Sequence, residues 1–185
     1  MKKGIIIGSM IIFVVIVTAI FIFPRENTGA FTNPETINAK ETEWWNAELK
    51  NVNNGEIFSI SDFEGKPILV ESFAIWCPVC TKQQREIKKL DAELGDSVVS
   101  ISLDTDPNED EDRLLEHTTQ NGFDWYYAVS PSDMTRALIN DFGVEIVNAP
   151  SVPVVLICED GSARKLDSGL KNVAELKAEL ATCGS

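Results

Sequence analysis

Two cysteines, Cys77 and Cys80, lie three positions apart directly after the apolar run 68–75. The run is short enough to be a buried strand, and a helical pattern follows the cysteines and ends at Gly95. A cysteine in the first turn of a helix is favoured as a thiolate, because unpaired backbone N–H groups and the helix dipole attract negative charge. The spacing therefore predicts a reactive dithiol at a strand-to-helix junction, with Cys77 the more acidic thiol and Cys80 the more buried one.

The first 25 residues have the composition of a membrane anchor. Residues 4–23 carry no charge and are dominated by Ile, Val and Phe, a length that crosses about 30 Å of hydrocarbon. A cleaved signal peptide would have a shorter apolar region and a small-residue cleavage site, whereas this segment ends in Phe-Ile-Phe-Pro. We therefore predict an uncleaved transmembrane helix over a cleaved signal or a core helix. Lys2 and Lys3 would stay on the cytoplasmic side and place the following chain outside the membrane.

Composition also separates a tether from a globular domain. Residues 26–43 are polar, contain Gly and Pro and show no periodicity, which is typical of a flexible linker. We predict a cytoplasmic stub and anchor over 1–25, a tether over 26–43 and one domain over 44–185. The chain has a net charge of −13. An acidic surface is repelled by phosphate backbones, so nucleic acid is not expected as a partner.

The domain shows alternating strand and helix patterns, which indicate an α/β fold. An Asn-Gly pair at 54–55 favours a tight hairpin near the start of the domain. Trp44 and Trp45 are expected to pack against the sheet rather than contact a partner, and His117, the only histidine, is expected at the surface. The predicted strands are 48–52, 56–60, 68–73, 98–103, 125–129, 152–158 and 163–167, and the predicted helices are 77–94, 107–120, 132–142 and 172–181.

The acidic residues after the fourth predicted strand allow two interpretations. Asp104, Asp106 and Asn108 imitate the start of an EF-hand calcium loop. That loop requires Gly at its sixth and Glu at its twelfth position, where this chain has Glu109 and Leu115. We favour the simpler interpretation, in which Asp106 is the N-cap of the next helix and Glu109 closes a capping box.

Three segments resemble a known family, namely DFEGKP at 62–67, FAIWCPVC at 73–80 and SVPVVLI at 151–157. Over about residues 44–182 the chain is similar to membrane-anchored, extracytoplasmic thiol-disulfide oxidoreductases related to those of cytochrome c maturation. The resemblance implies a thioredoxin-like fold, with a central mixed sheet flanked by helices. The roles that the resemblance implies agree with the expected acidities of the two thiols. Cys77 would attack a substrate disulfide, and Cys80 would resolve the mixed disulfide.

Glu71 lies in the middle of the apolar strand before the dithiol, where a carboxylate is costly unless it has a partner or a task. In the family that the chain resembles, the acidic residue at this place lies beneath the dithiol and handles the proton of the second cysteine. Burial would raise its pKa towards neutrality, as a general base requires. The alternative is a Glu on an edge strand that reaches water. Ser100 stands where cytoplasmic thioredoxins often place a lysine near this acid.

The resemblance also implies which surface faces a substrate. It predicts a cis peptide bond at Pro153, which would keep the backbone open for pairing with the substrate and keep metal away from the cysteines. Pro150 is the competing position for this bond. The residues expected to face the substrate are Trp76, Pro78, Val79, Val152 and Pro153.

Two further cysteines, Cys158 and Cys183, lie at the end of a predicted strand and after the last predicted helix. In the thioredoxin fold these two ends meet, so the resemblance implies that a structural disulfide can join them, which an extracytoplasmic location permits. The alternative is a buried Cys158 and a free Cys183 at the terminus. For Cys77 and Cys80, a purely structural bond is one alternative. Zinc is disfavoured, because the sequence offers no second Cys-x-x-Cys motif and no histidine pair, and no metal site is predicted.

Together these patterns predict an enzyme on the extracytoplasmic face of the cell membrane that reduces disulfides of exported proteins. It would need no cofactor and would be recharged by a membrane dithiol donor. The sequence leaves the direction of electron transfer open, and a disulfide oxidase is the first alternative. A copper metallochaperone is the second, since thiolates suit Cu(I), although no third ligand is evident. A thiol peroxidase is disfavoured, because Ala74 stands where that family has Thr.

Overall fold

The fold is taken from a computed structural model, which describes residues 36–184. The predicted stub and anchor over 1–25 and the first part of the predicted tether, 26–35, lie outside the described residues. Within the part of the chain that is described, no helix is long and apolar enough to cross a membrane. The strands are β1 (Ile37–Asn38), β2 (Leu49–Lys50), β3 (Ile57–Phe58), β4 (Ile68–Phe73), β5 (Val99–Asp104), β6 (Tyr126–Val129), β7 (Val154–Ile157) and β8 (Ser162–Lys165).

Six of these strands form one mixed sheet in the order β1-β8-β7-β4-β5-β6. β4 runs parallel to β5, and β5 runs parallel to β6, whereas β4 pairs antiparallel with β7. β2 and β3 form a separate hairpin at the place where the Asn-Gly turn predicts one. The mixed sheet and the hairpin agree with the predicted thioredoxin-like fold.

Helices cover both faces of the sheet. They are α1 (Pro78–Leu94), α2 (Glu111–Asn121), α3 (Ser132–Phe142) and α4 (Val173–Leu180). Side chains along a strand point to alternate faces, so β4 contributes to two cores. Ile68 and Val70 pack in the core that contains α3, whereas Leu69 and Phe73 pack in the core that contains α1, α2 and α4. β4 lies at the centre of the sheet, and all six of its residues are buried.

The ordered domain begins before the predicted boundary at residue 44. Ile37 lies opposite Ala163 and Asn38 lies opposite Ser162, so β1 forms an edge of the sheet, and Ala39 is fully buried. The prediction of a tether is therefore wrong for residues 37–43. A strand of two residues has no visible periodicity, and its partner strand is distant in the sequence, so composition alone could not reveal the pairing.

The pair of tryptophans after this edge strand packs as predicted. Trp44 is 1% exposed and Trp45 is 5% exposed, and both belong to the core that contains α3. The Trp44 indole donates a hydrogen bond of 2.7 Å to Asp141 on α3. Because the polar end of the ring has a partner, the burial of this large side chain carries no unsatisfied donor.

Cys158 and Cys183 are joined by a disulfide that ties the end of β7 to the chain after α4. This agrees with the pairing that the resemblance implies. The bond closes a loop with a sequence separation of 25. In the chain-entropy treatment a loop of this length stabilises the folded state by roughly 3.5 kcal/mol, because it restricts the unfolded chain.

Candidate active site

The dithiol lies at the N-terminus of α1, as the sequence predicts. Cys77 is the N-cap residue, Pro78 begins the helix, and the two sulfurs of Cys77 and Cys80 are bonded to each other. Proline is suited to this position because its missing N–H would have no partner in the first helical turn. The Cys77 sulfur also accepts a hydrogen bond of 3.3 Å from the Cys80 backbone N–H. After reduction, the same donor and the helix dipole would stabilise a Cys77 thiolate.

Both cysteines are covered in this disulfide form. Cys77 is 1% exposed and Cys80 is fully buried, so the difference in burial that we predicted between them is small. The Cys80 sulfur lies 3.1 Å from the Ala149 carbonyl oxygen, which can accept a hydrogen bond from the Cys80 thiol after reduction. Trp76 is 57% exposed and Pro78 is exposed, whereas Val79 is half-buried. These three residues therefore form the accessible border of the disulfide.

The predicted cis peptide bond at Pro153 is absent, since no peptide bond among residues 36–184 is cis. Val152 instead adopts left-handed backbone angles, with φ 51° and ψ 59°, and ends a short 3-10 turn at Ala149–Ser151. The trans isomer of an X-Pro bond is favoured by about 0.5 to 1 kcal/mol, and here the turn at Val152 redirects the chain. The Pro153 carbonyl accepts from the Ser72 N–H at 3.1 Å. The backbone carbonyl that lies 3.1 Å from the Cys80 sulfur belongs to Ala149.

Glu71 is fully buried between β5 and β7, which excludes the alternative of an edge-strand carboxylate that reaches water. Its Oε2 atom accepts a hydrogen bond of 3.0 Å from the hydroxyl of Ser102, the residue opposite it on β5. Burial raises the pKa of Glu71 to about 8, although the hydrogen bond from Ser102 and the neighbouring Gln84 side chain act in the opposite direction. Glu71 thus holds a proton at neutral pH, and a modest change in its surroundings would release it.

Sequence reasoning identified the acid but missed its hydrogen-bonding partners. Ser100, which we compared with the lysine of cytoplasmic thioredoxins, donates to Asp91 and not to Glu71. The residue that does contact Glu71, Ser102, also accepts a hydrogen bond of 3.0 Å from the Trp125 indole. Alternation along β5 could have revealed Ser102 only if the register with β4 had been known.

Gln84 and His117 extend this buried polar network. Gln84 Oε1 lies 2.8 Å from His117 Nε2, and the Gln84 side chain lies beside Glu71. His117 is 8% exposed, so the prediction of a surface position is wrong. The helical face that carries it also carries Leu114 and Thr118, both of which are fully buried. A short polar helix leaves such a face difficult to recognise from sequence alone.

A lysine in the loop before α4 acts on Glu71 through its charge, and the sequence patterns did not indicate it. Lys171, in the loop before α4, lowers the pKa of Glu71 through its charge. Two hydrogen bonds hold this loop to α1, one from the Lys171 N–H to Gln83 Oε1 and one from Gln83 Nε2 to the Lys171 carbonyl. The fold therefore provides a cation for Glu71 without a lysine on the neighbouring strand.

The acidic segment after β5 contacts the active-site loop instead of capping a helix. Asp106 accepts a hydrogen bond of 2.7 Å from the Trp76 indole, and Glu109 accepts one of 2.7 Å from the Ile75 N–H. The N-cap of α2 is Asp110, so the predicted cap at Asp106 with a capping box through Glu109 is wrong. Both carboxylates are engaged by the loop that leads into Cys77, and the helix begins only after them.

Comparisons with known proteins agree with this architecture. The chain matches the Redoxin family model over residues 37–180. An uncharacterized protein of Haemophilus influenzae is 30% identical over 112 residues, which cover 60% of this chain and 67% of that protein. A secreted disulfide oxidoreductase of Mycobacterium tuberculosis superposes with a TM-score of 0.60 at 15% identity, covering 76% of this chain and 98% of that one. A thiol:disulfide interchange protein of Chlorobium tepidum gives 0.63 at 16% identity, with coverages of 83% and 99%.

The two superpositions have low sequence identity, so they bear on the fold alone. The family match shows family membership as well as fold, because it covers the chain from β1 to the end of α4 and includes the Cys77–Cys80 pair. The chain therefore belongs to the Redoxin family and is a thioredoxin-fold oxidoreductase that carries its redox-capable disulfide at the start of α1.

Proposed function

We propose that this Redoxin-family enzyme reduces disulfide bonds of exported proteins, anchored through residues 4–23 on the extracytoplasmic face of the cell membrane. One observation carries the proposal: a Cys77–Cys80 disulfide at a helix N-terminus faces the same core as a fully buried acid. Glu71 alternates with Leu69 and Phe73, which pack in one core with both cysteines. Such an arrangement joins an activated thiol to a group that can take up and return a proton.

In the proposed reaction the reduced enzyme acts first through Cys77. Its thiolate attacks one sulfur of a substrate disulfide, forms a mixed disulfide and releases the other substrate sulfur as a thiolate. Glu71 first gives up its own proton, which solvent can carry to the released substrate thiolate. It then accepts the proton of the Cys80 thiol, and the Cys80 thiolate attacks the Cys77 sulfur. The second substrate thiol leaves, and two electrons have passed to the substrate. The enzyme is left with the Cys77–Cys80 bond seen in this structure.

The oxidised enzyme must regain two electrons before it can act again. Outside the cytoplasm the proposed source is a membrane dithiol, which would repeat the same exchange in reverse and leave as a disulfide. The substrate and the donor would meet the disulfide at its accessible border, formed by Trp76, Pro78 and Val79. Val152 and Pro153, both buried here, are proposed to line the substrate side once a partner is docked.

The direction of electron flow can be tested by measuring the reduction potential of the Cys77–Cys80 couple. The variant with Cys158→Ser and Cys183→Ser leaves Cys77 and Cys80 as the only cysteines that can be oxidised or reduced. A potential near about −270 mV together with insulin reduction would support a reductase, whereas about −120 mV would indicate an oxidase. Stoichiometric, tight Cu(I) binding without insulin reduction would replace the proposal by a metallochaperone.

The proposed location can be tested separately from the chemistry. The full chain should remain with the membrane fraction after a high-salt wash, since an apolar segment of this length is not released by ionic strength. Deletion of residues 4–23 should transfer the protein to the soluble fraction. A full chain that is released by salt would contradict the anchor and leave the reductase proposal standing.

A further inference from the structure

Two carboxyl groups lie buried behind the active-site loop. Asp104, the last residue of β5, is fully buried, and Glu109 is 7% exposed. Within residues 36–184, Asp104 Oδ2 and Glu109 Oε1 have no hydrogen-bond donor, and the two carboxyl groups lie within hydrogen-bonding reach of each other. Two acceptor oxygens cannot bond without a hydrogen between them. A single proton held between these atoms would satisfy both.

The remaining oxygen of each carboxyl group is bonded to the backbone. Glu109 Oε2 accepts from the Ile75 N–H at 2.7 Å, and Asp104 Oδ1 accepts from the Asp106 N–H at 3.0 Å. Ile75 lies within the turn that is closed by the Cys77 N–H bonded to the Ala74 carbonyl at 3.1 Å. The acid pair thus holds the backbone from which the reactive cysteine projects.

Burial and the neighbouring charges oppose ionisation of Asp104. Burial raises the pKa of Asp104 to about 7, and the neighbouring negative charges of Glu109 and Asp106 act in the same direction. The nearest cation is Arg113 on α2, whose Nη2 lies 3.7 Å from Glu109 Oε1 and is half-exposed to solvent. This half-exposed guanidinium forms one long ion pair with Glu109, which solvent weakens, and so offsets the charge of two buried carboxylates only in part.

We propose that Asp104 and Glu109 share one proton, and that this acid pair positions Cys77 for attack by holding the Ile75 amide. When the proton is lost, repulsion between the two carboxylates loosens the contact with Ile75, and the added negative charge opposes formation of the Cys77 thiolate. The positioning role rests on the proposed function, in which Cys77 is the attacking thiol. The shared proton does not depend on it.

Asp104→Asn tests the proposal, because asparagine reproduces the protonated arrangement at every pH. Its Oδ1 can still accept from the Asp106 N–H, and its amide N–H can donate to Glu109 Oε1. We expect the rate of Cys77 alkylation by iodoacetamide in the reduced full chain to be similar to wild type at pH 6. At pH 8 the variant should react faster, by up to about 3-fold, which is the limit that half a unit in thiol pKa sets while most of the Cys77 thiol is protonated. Glu71 ionises in both proteins, so its effect cancels in the ratio.

A matched control is Asp112→Asn, which removes the same charge from an exposed position on α2. It should follow the wild-type rate at both pH values. Glu109→Gln is the second variant, since its amide can donate to Asp104 while its carbonyl accepts from Ile75, and it should behave as Asp104→Asn does. Carboxyl ¹³C NMR of the full chain in detergent should also show one side-chain carboxyl that titrates near pH 7 and disappears in Asp104→Asn.

Three results would overturn the inference. If no side-chain carboxyl titrated near pH 7, the proposal of a shared proton would be contradicted. The positioning role would be contradicted if Asp104→Asn and Glu109→Gln both alkylated Cys77 at the wild-type rate at pH 8. It would also be contradicted if Asp112→Asn were accelerated as much as they are. None of these readouts uses a protein substrate, so failure of insulin reduction would count against the proposed function and leave this inference intact.

Discussion

Replacing Cys77 by serine is expected to lower insulin reduction by at least about 1,000-fold, since disulfide exchange requires a thiolate and a hydroxyl is almost never ionised at neutral pH. The structure supplies the reason for choosing this cysteine, because its sulfur caps α1 and accepts the Cys80 N–H. Turnover of insulin with a chemical dithiol as electron source provides the measurement. The double variant Cys158→Ser, Cys183→Ser is the matched control and should retain turnover, since that disulfide lies at the other end of β7 and α4.

Cys80→Ser is expected to give a different loss from Cys77→Ser. The first attack remains possible, but the mixed disulfide on Cys77 has no internal thiol to resolve it, so a stable adduct should accumulate. Mass spectrometry of the reduced variant after exposure to a disulfide-containing protein would show one adduct per chain. Adduct formation by Cys77→Ser through Cys80, with none by Cys80→Ser, would mean that the two roles are reversed.

Glu71→Gln is expected to remove a large pH-dependent contribution to stability. The pKa of Glu71 is about 8 in the folded protein, against 4.5 for an ordinary glutamate. Between these values the folded protein binds the proton and the unfolded chain does not. The contribution of Glu71 to stability is therefore fully present below pH 4.5 and is lost as the pH rises towards 8. A shift of this size corresponds to roughly 4 to 5 kcal/mol. Glutamine, which has no proton to lose, should escape this fall.

Urea unfolding of oxidised wild type and Glu71→Gln, at pH 5 and at pH 8, measures the effect. The stability of the variant relative to wild type should rise by several kcal/mol between the two pH values. Asp91 and Asp104 also have raised pKa values, but both proteins contain them and their contribution cancels in the comparison. Glu159→Gln, at an exposed position, should show no such rise. A difference that does not change with pH would contradict a buried, protonated Glu71.

The same substitution tests the proposed role of Glu71 in proton transfer. Because glutamine cannot accept the Cys80 proton, resolution of a preformed mixed disulfide on Cys77 should slow by about 100-fold or more. The first attack by Cys77 should change little. If resolution kept its wild-type rate while the stability effect appeared, Glu71 would be a buried acid without a part in the reaction.

The elements that sequence patterns predicted well are those with strong local signals. β4 is a mostly apolar run, and α1 has a proline at its start and Gly95 at its end, so their limits agree with expectation to within a residue. α3 was predicted with the observed bounds for the same reason. The weakest predictions concerned β1, whose partner β8 is distant in sequence, and the start of α2, where acidic residues serve tertiary contacts.

The candidate site shows the same division. Cys77, Cys80 and Glu71 were identifiable from their types and their spacing along one strand and one helix turn. Ser102, Gln84, His117 and Lys171 were not, because the network around the acid is assembled from four separate parts of the chain. The predicted cis bond at Pro153 was wrong because the isomer depends on the conformation of Val152 and the surrounding turn, which a family pattern does not determine.

The sequence by itself determined the α/β class, the position of the dithiol and the presence of an acid within an apolar strand, because periodicity, helix-end signals and spacing are local properties. Only the tertiary structure decided that Glu71 is sealed from water with a serine and a glutamine beside it, and that Asp106 and Glu109 hold the active-site loop. The physical reason is that burial and hydrogen bonding depend on strand register and on segments distant in the chain. The sequence does not distinguish a carboxylate at the surface from one in the core, but the pKa of that group is determined by what packs around it.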